Sequence, residues 1–319
     1  MDREVLKNAL VNTLPNLTLD EFARLFMNET LAIEEFYKLC SGVKACYKVS
    51  LLFNPHRLDT PTSSSISIYQ AIKDPKLLSG LARMYLYDLT HNAPNPLYHS
   101  LQRGFNGIQY VNEFQPIVAH KIYKTYAFAM SKEPVILDPC CGWGGRMLGC
   151  ASFPNTTYIG CEPSTKTYEG LIKLGEWIQV LQPTFKFKIY NVPYEDFETD
   201  MKFDFALTSP PYFDTEHYST EETNSFNRYP EFDNWYDNFY VPLVCKTMNF
   251  LKDDACFVMN VGDRKYPLTS RLQKTCDDNG FNCQRIDDYL SGTGEAKEKF
   301  YMITKSSKIY STNHIVTLF

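Results

Sequence analysis

The chain has 319 residues, 44% apolar and 22% charged, which excludes a disordered or fibrous protein and suits one large α/β domain with an appendage or two modest domains. A formal net charge of −5 argues against a general polyanion binder but leaves room for a basic cleft on an acidic body. The start, MDREVLKNAL, lacks the apolar core of a signal peptide, no apolar run is long enough to span a bilayer, and the ten cysteines include no C-x-x-C pair. These features predict a non-secreted protein of a reducing compartment, cytoplasmic or nuclear, with free thiols, no membrane partner and no metal.

Residues 1–100 read as a helical N-terminal region. Thr18 followed by Glu21 is a capping box, and Phe22, Leu25 and Phe26 continue an apolar face. Thr30 precedes a second such run through Phe36, Tyr37 and Cys40. The stretches Asp59–Ser65 and Asn92–Pro96 read as loops. From about residue 101 to the end, short β-rich runs alternate with helical periods. Strands are expected at 135–137, 157–160, 185–190, 203–207 and 256–261. Helices are expected at 164–181 and 233–251, the latter with a kink at Pro242. Strands separated by helices imply a doubly wound, mostly parallel sheet. The last pair, 281–287 and 299–304, is joined by SGTGEAKE, too short for a crossover helix, so it should be antiparallel. The predicted fold is thus Rossmann-like α/β plus the helical N-terminal region.

Two motifs carry chemistry. DPCCGWGGR, Asp138 to Arg146, follows the first strand and opens a helix, the arrangement of a nucleotide-cofactor turn. It is not a dinucleotide fingerprint, because Met147 stands where the third glycine would fall. A carboxylate at the head of the turn suits a ligand bearing an ammonium or sulfonium charge rather than a pyrophosphate. Glu162, closing the second strand, is placed for ribose hydroxyls. The fourth strand runs into TSPPYFD, where two prolines enforce a rigid extended turn and Tyr212 follows at once. The aromatic-rich stretch 212–240 could line a pocket for a flipped base, although each ring taken singly suits core packing better.

The glycine turn resembles the first motif of class I S-adenosylmethionine (SAM)-dependent methyltransferases, D/E-x-x-x-G-x-G, matched by Asp138, Gly142 and Gly144. Ser209-Pro210-Pro211-Tyr212 resembles the [DNS]-P-P-[YFW] motif of amino-methyltransferases, and the pair looks like DNA methylases of phages, large DNA viruses and mobile elements. The resemblance covers about residues 105 to 305. It implies SAM as cofactor, held by Asp138, Pro139, Cys140, Gly142, Gly144 and Thr208 around the turn, Glu162 at the ribose, and Glu195 or Asp196 at the adenine. In the upstream segment NEFQP it assigns Gln115 to the methionine carboxylate. Ser209, Pro210, Pro211 and Tyr212 would act on the target amine, with base flipping to reach it in duplex DNA. Ser at the head of the motif is commonest in N4-cytosine enzymes, whereas the motif order is commoner in N6-adenine enzymes, so both bases stay open. The alternatives are an RNA base (guanine-N2) methyltransferase, a protein-glutamine methyltransferase, or a non-catalytic SAM- or nucleic-acid-binding subunit. With little room for a recognition domain, target recognition would fall to the N-terminal hundred residues, the loop after Tyr212, or a partner subunit.

Overall fold

A computed structural model describes residues 3–62, 65–92, 96–103, 108, 111–215, 218–263, 265–286 and 299–305. The N-terminal region is helical as expected, with α1 (Arg3–Thr13), α2 (Leu19–Arg24), α3 (Glu29–Cys40), α4 (Ile68–Ala71), α5 (Pro75–Thr90) and α6 (Pro96–Arg103). Thr18 and Glu21 form the capping box at α2, each side chain bonded to the other's backbone N–H. Phe22 and Phe26 are buried, but Leu25 and Tyr37 are about half exposed, so the apolar faces of α2 and α3 are narrower than their sequences suggest. Asn28 caps α3, accepting from the Leu31 N–H. Residues 63–64 and 93–95 of the two expected loops lie outside the described residues.

From residue 116 the chain runs through α7 (Pro116–Ile122), a π turn (Tyr123–Ala127), α8 (Phe128–Met130), β1 (Val135–Asp138), α9 (Gly145–Ala151), β2 (Thr157–Cys161), α10 (Thr165–Leu181), β3 (Lys186–Tyr190) and β4 (Phe203–Thr208). Then come α11 (Ser225–Arg228), α12 (Phe232–Trp235), a π turn (Tyr236–Tyr240), α13 (Val241–Phe250), β5 (Leu251–Val261), α14 (Leu268–Asp278), β6 (Asn282–Ile286) and β7 (Lys299–Thr304). One seven-stranded sheet has the order β3-β2-β1-β4-β5-β7-β6. The first five strands are parallel, and β7 runs antiparallel to both β5 and β6. The predicted doubly wound sheet with an antiparallel last strand is what forms.

Alternation along each strand splits the core in two. Ile136, Phe205 and Val258 face one layer with α7, α9 and α10. Leu137, Ala206 and Phe257 face the other, with Trp235, Tyr240 and Leu243. Two details differ from the sequence reading. β5 starts at Leu251, because exposed Lys252, Asp253 and Asp254 mask an extended segment that has no apolar signal. Pro242 makes no kink of its own: it sits in the first turn of α13, where its missing N–H is not needed, and the irregularity is the π turn just before it. The connection 287–298 lies outside the described residues.

β1 pairs with β2 on one side and β4 on the other, so the strand order reverses at β1. The crevice beyond the carboxyl ends of β1 and β4 is where a doubly wound sheet receives ligands. Both sequence motifs end there.

Candidate active site

One pocket of about 210 Å³ opens at this crevice. Its walls come from 112–114, the turn 139–146, 162–164 after β2, 193–195 after β3, Ser209–Tyr212 after β4, parts of 218–225, and Asn260 at the end of β5. The glycine turn and the S-P-P-Y segment, 63 residues apart in sequence, therefore share a single cavity.

The turn is built on left-handed backbone. Gly142 has φ 56° and Gly144 φ 96°, which side-chain-bearing residues rarely adopt. A Cβ on Gly142 would meet nothing within 4 Å, so the bare backbone there faces open pocket. Gly144 does different work: its Cβ would strike Leu174 at 2.5 Å, so this glycine lets the turn lie against α10 rather than against a ligand. A Cβ on Gly145 would collide with the Phe114 carbonyl, so the glycine beyond the motif brings 113–114 against the start of α9.

Asp138 does not reach the pocket. It is fully buried, and its carboxylate accepts from Arg146 Nε at 2.7 Å, Tyr158 OH at 2.5 Å and Thr208 Oγ1 at 2.9 Å. The Cys140 N–H donates to both Asp138 Oδ1 and Thr208 Oγ1 at 3.2 Å. Arg146 also donates to the Cys140 carbonyl. This network locks the turn to β4, so Asp138 and Thr208 shape the cavity from behind it. A free buried carboxylate at the end of the strand would be costly, and Arg146, in the first turn of α9, neutralises it. Pro139 and Cys140 do line the cavity. Burial pushes the Cys140 and Cys141 thiols well up, with the Asp138 charge adding to it, so both stay neutral. Among the described residues no cluster of His, Cys, Asp and Glu has a metal-holding arrangement.

Glu162 lines the pocket and accepts from the N–H groups of Gly142 and Ser164, each at 3.0 Å. Burial raises its carboxyl to about 8, against the pull of those two N–H groups. Past β3, Glu195 lines the pocket while Asp196 does not; Arg228 bridges the two, at 3.1 Å to Glu195 and 2.7 Å to Asp196. Gln115 is not among the lining residues: it stands at the residue before α7 without a side-chain cap, and its Oε1 accepts from Tyr47 OH at 3.1 Å. Its neighbour Glu113 lines the pocket instead, and burial pushes its carboxyl up despite Arg57 beside it.

Ser209, Pro210, Pro211 and Tyr212 all line the cavity. Ser209 Oγ donates to Asn260 Oδ1 at 3.4 Å, and Asn260 Nδ2 donates in turn to the Lys299 carbonyl at 3.2 Å. Asn260 carries no sequence motif; only its place at the carboxyl end of β5 could have flagged it. Phe213, directly after Tyr212, has φ 57°, a strained conformation for a bulky residue. Its ring is held by Phe226, Phe232, Trp235 and Tyr266 at centroid distances of 5.0–5.6 Å. Most rings of 212–240 thus serve the core, as single-ring reasoning holds, and among the described residues only Tyr212, Tyr218 and Phe239 reach the pocket. Trp143, from within the glycine turn, meets Tyr218 edge-on at 6.0 Å and His56 at 5.2 Å.

No protein-family model matches the sequence, and no curated protein matches it. Among solved structures it is similar to a methyltransferase from Pyrococcus furiosus, at 14% identity and TM-score 0.42 over 68% of this chain and 95% of that one. A putative rRNA methylase from Clostridium thermocellum gives 11% and 0.40, over 58% and 92%. Magnesium protoporphyrin IX methyltransferase from Synechocystis, solved with bound SAM, gives 13% and 0.41, over 60% and 79%. Values this low transfer neither activity nor substrate.

Proposed function

We propose that this chain is a SAM-dependent methyltransferase that methylates an exocyclic amine of a DNA base, N4 of cytosine or N6 of adenine. The observation that carries the reading is the shared cavity: the glycine turn and Ser209–Tyr212 both line one pocket. The walls fit a SAM-like ligand in two respects. Gly142 offers bare backbone to open space, and the acidic side chains Glu113, Glu162 and Glu195 offer acceptors for the ligand's hydroxyl and amine groups.

SAM, when bound, supplies a methyl group on a sulfonium, and the departing sulfur keeps the bonding electrons as a neutral thioether. The chain's residues prepare the other reactant. An amine conjugated to a base is a weak nucleophile because its lone pair is delocalised into the ring. Ser209 commits its proton to Asn260, leaving its oxygen lone pairs to accept from the amine. The Pro210 carbonyl is the second acceptor. Two such bonds favour a pyramidal nitrogen with a directed lone pair, and Tyr212 offers a ring for the base to stack on. Positioning of this kind supplies most of the rate, and the proton on the methylated nitrogen is released to solvent.

Purified protein with labelled SAM, offered DNA, RNA and protein in parallel, tests the reading. DNA alone should incorporate label. Tyr212→Ala should lower kcat/KM about tenfold to a hundredfold, the scale of a lost base–aromatic stack. Ser209→Ala should lower kcat while SAM binding persists. Label in RNA alone would move the assignment to an RNA base, and full activity in both variants would remove the proposed amine site.

A further inference from the structure

The β6 edge of the sheet brings two thiols together, away from the pocket. Cys276 lies in the last turn of α14 and Cys283 in β6, and neither lines the cavity. The chain reverses sharply between them. Asn279 and Phe281 both donate their N–H to the Cys276 carbonyl, at 3.2 and 2.9 Å, and Gly280 takes φ 71°, the left-handed turn that often ends a helix. β6 therefore leaves back along α14, against which it packs. Phe281 and Cys283 are two residues apart on one face of this extended segment, and both pack against the cluster in which Cys276 is buried. Cys283 stands one pleat beyond Phe281, and Cys276 less than one turn before the helix end, so the reversal sets them side by side. The Cys276 S–H donates to the Cys283 sulfur.

The two sulfurs are not alike. Cys276 is fully buried, whereas Cys283 is half-buried on the strand that ends the sheet. The hydrogen bond from Cys276 lowers the Cys283 thiol from its ordinary value, against the opposing pull of burial. The other nine cysteines are all raised, eight of them by burial first and Cys276 by its bond to Cys283. The thiolate is the reactive form of a cysteine, so Cys283 is the one prepared to react, with a second thiol already in contact. Among the described residues no third ligand makes a metal site with the pair. We infer that Cys283 and Cys276 form a modification site for a hydroperoxide, closing to an intrachain disulfide that ties the end of α14 to β6. The Cys283 thiolate attacks the terminal peroxide oxygen and the O–O bond breaks. The leaving oxygen takes up the proton that Cys283 lost and departs as alcohol or water, and Cys283 becomes a sulfenic acid. The Cys276 sulfur then attacks the Cys283 sulfur, its proton passes to the departing hydroxyl, and water leaves. The two thiols give up two electrons, which the peroxide gains. Burial keeps Cys276 from the peroxide and so fixes the order of the two steps. None of this depends on the SAM reading of the pocket.

The test treats the full chain with hydrogen peroxide at neutral pH, alkylates the remaining thiols and digests with trypsin. Cleavage after Lys274 and Arg285 gives the peptide Thr275–Arg285, which holds both cysteines. That peptide should lose two hydrogens and regain them with dithiothreitol. It should do so about tenfold faster than Cys40 or Cys245, the other half-buried thiols outside the pocket, are oxidised, the factor that one pKa unit of thiolate supplies. Cys276→Ser should leave Cys283 as a sulfenic acid that dimedone traps, and Cys283→Ser should leave Cys276 unlabelled. In urea, where contact and burial are both lost, the advantage over Cys40 and Cys245 should vanish. A peptide that keeps both thiols after Cys40 and Cys245 are oxidised overturns the inference without needing any variant. Dimedone label on Cys276 in Cys283→Ser overturns it as well. So does an advantage that persists undiminished in urea, since closeness in sequence alone would then make the bond.

Discussion

Glu162 shows how burial and hydrogen bonding contend at a single residue. Two backbone N–H groups favour its charged form, and Arg146 adds to them. Desolvation outweighs them and, with the nearby Asp138 charge, raises the carboxyl from 4.5 to about 8. The folded protein thus holds this proton more tightly than the unfolded chain does. Its contribution to stability is complete below pH 4.5, declines as the unfolded carboxyl ionises, and is gone above about pH 8. Urea midpoints measured from pH 5 to 9 should fall more steeply in the wild type than in Glu162→Gln, which has no proton to lose. Parallel slopes would show that Glu162 is already ionised in the fold. An acid at the end of β2 has a positional signal in the sequence, and Glu162 does line the pocket there. For Asp138 and Gln115, sequence position gives the side chain's neighbourhood but not its direction. Asp138 turns inward to Arg146 and Tyr158, and Gln115 turns to Tyr47, partners separated from them by 8, 20 and 68 residues.

At the scale of elements, the strands and their mostly parallel pairing were legible because apolar runs alternate with helical periods. What was hidden is how closely the elements approach. Gly145 permits contact between α9 and segment 113–114; Gly149 seats α9 on Ala119 and Pro116 of α7; Gly160 makes room for the Cys141 sulfur. None of these needs positive φ, and each is a packing glycine whose partner is remote in sequence or across the sheet. Gly145→Ala should therefore destabilise the protein by about 1–3 kcal/mol, as overpacking does, and should also weaken ligand binding by displacing Glu113. Urea unfolding beside calorimetry reads both. Gly142→Ala should leave its surroundings uncrowded, so its cost should be confined to backbone strain and to the ligand. A Gly145→Ala protein as stable as wild type would mean that 113–114 yields freely. A second element-level tie is the segment after the S-P-P-Y turn. Glu221 accepts from the Thr165 N–H and hydroxyl, Thr223 donates to the Pro163 carbonyl, and Arg228 grips Glu195 and Asp196. Breaking the last with Arg228→Ala should release Glu195, and faster ligand dissociation in stopped-flow measurements is the expected sign.

For the whole molecule, the change of character near residue 100 divides the sequence but not the core. Met27, Ala32, Phe36, Leu39, Cys46 and Val49 are packed in the same cluster as Ile117, Ile136, Met147 and Phe205. Polar ties cross the same line: Asn54 Nδ2 donates to the Trp143 carbonyl at 3.4 Å, His56 contacts Thr167 at 3.0 Å, and Arg57 pairs with Glu113. Burial holds His56 near pKa 4, so that contact is made by a neutral ring at physiological pH. The remainder of the N-terminal helices form a separate cluster around Phe22, Phe26, Leu51, Leu58 and Leu81. Much of 27–57 thus packs into the core beside the sheet, behind the pocket lining, while the other N-terminal helices stand on the second cluster. A chain beginning at residue 101 would expose one face of α7 and α10 and strand Glu113 without its arginine. Large apolar exposure and an uncompensated buried charge each cost several kcal/mol, comparable with the whole stability of a domain. Such a truncation should lose its near-UV circular dichroism and its cooperative melt, whereas removal of α1 alone, whose contacts lie mainly with α5, should leave ligand affinity unchanged. A cooperatively folding 101–319 fragment that binds S-adenosylhomocysteine as tightly as the full chain would show that the N-terminal region merely leans on the sheet and its helices.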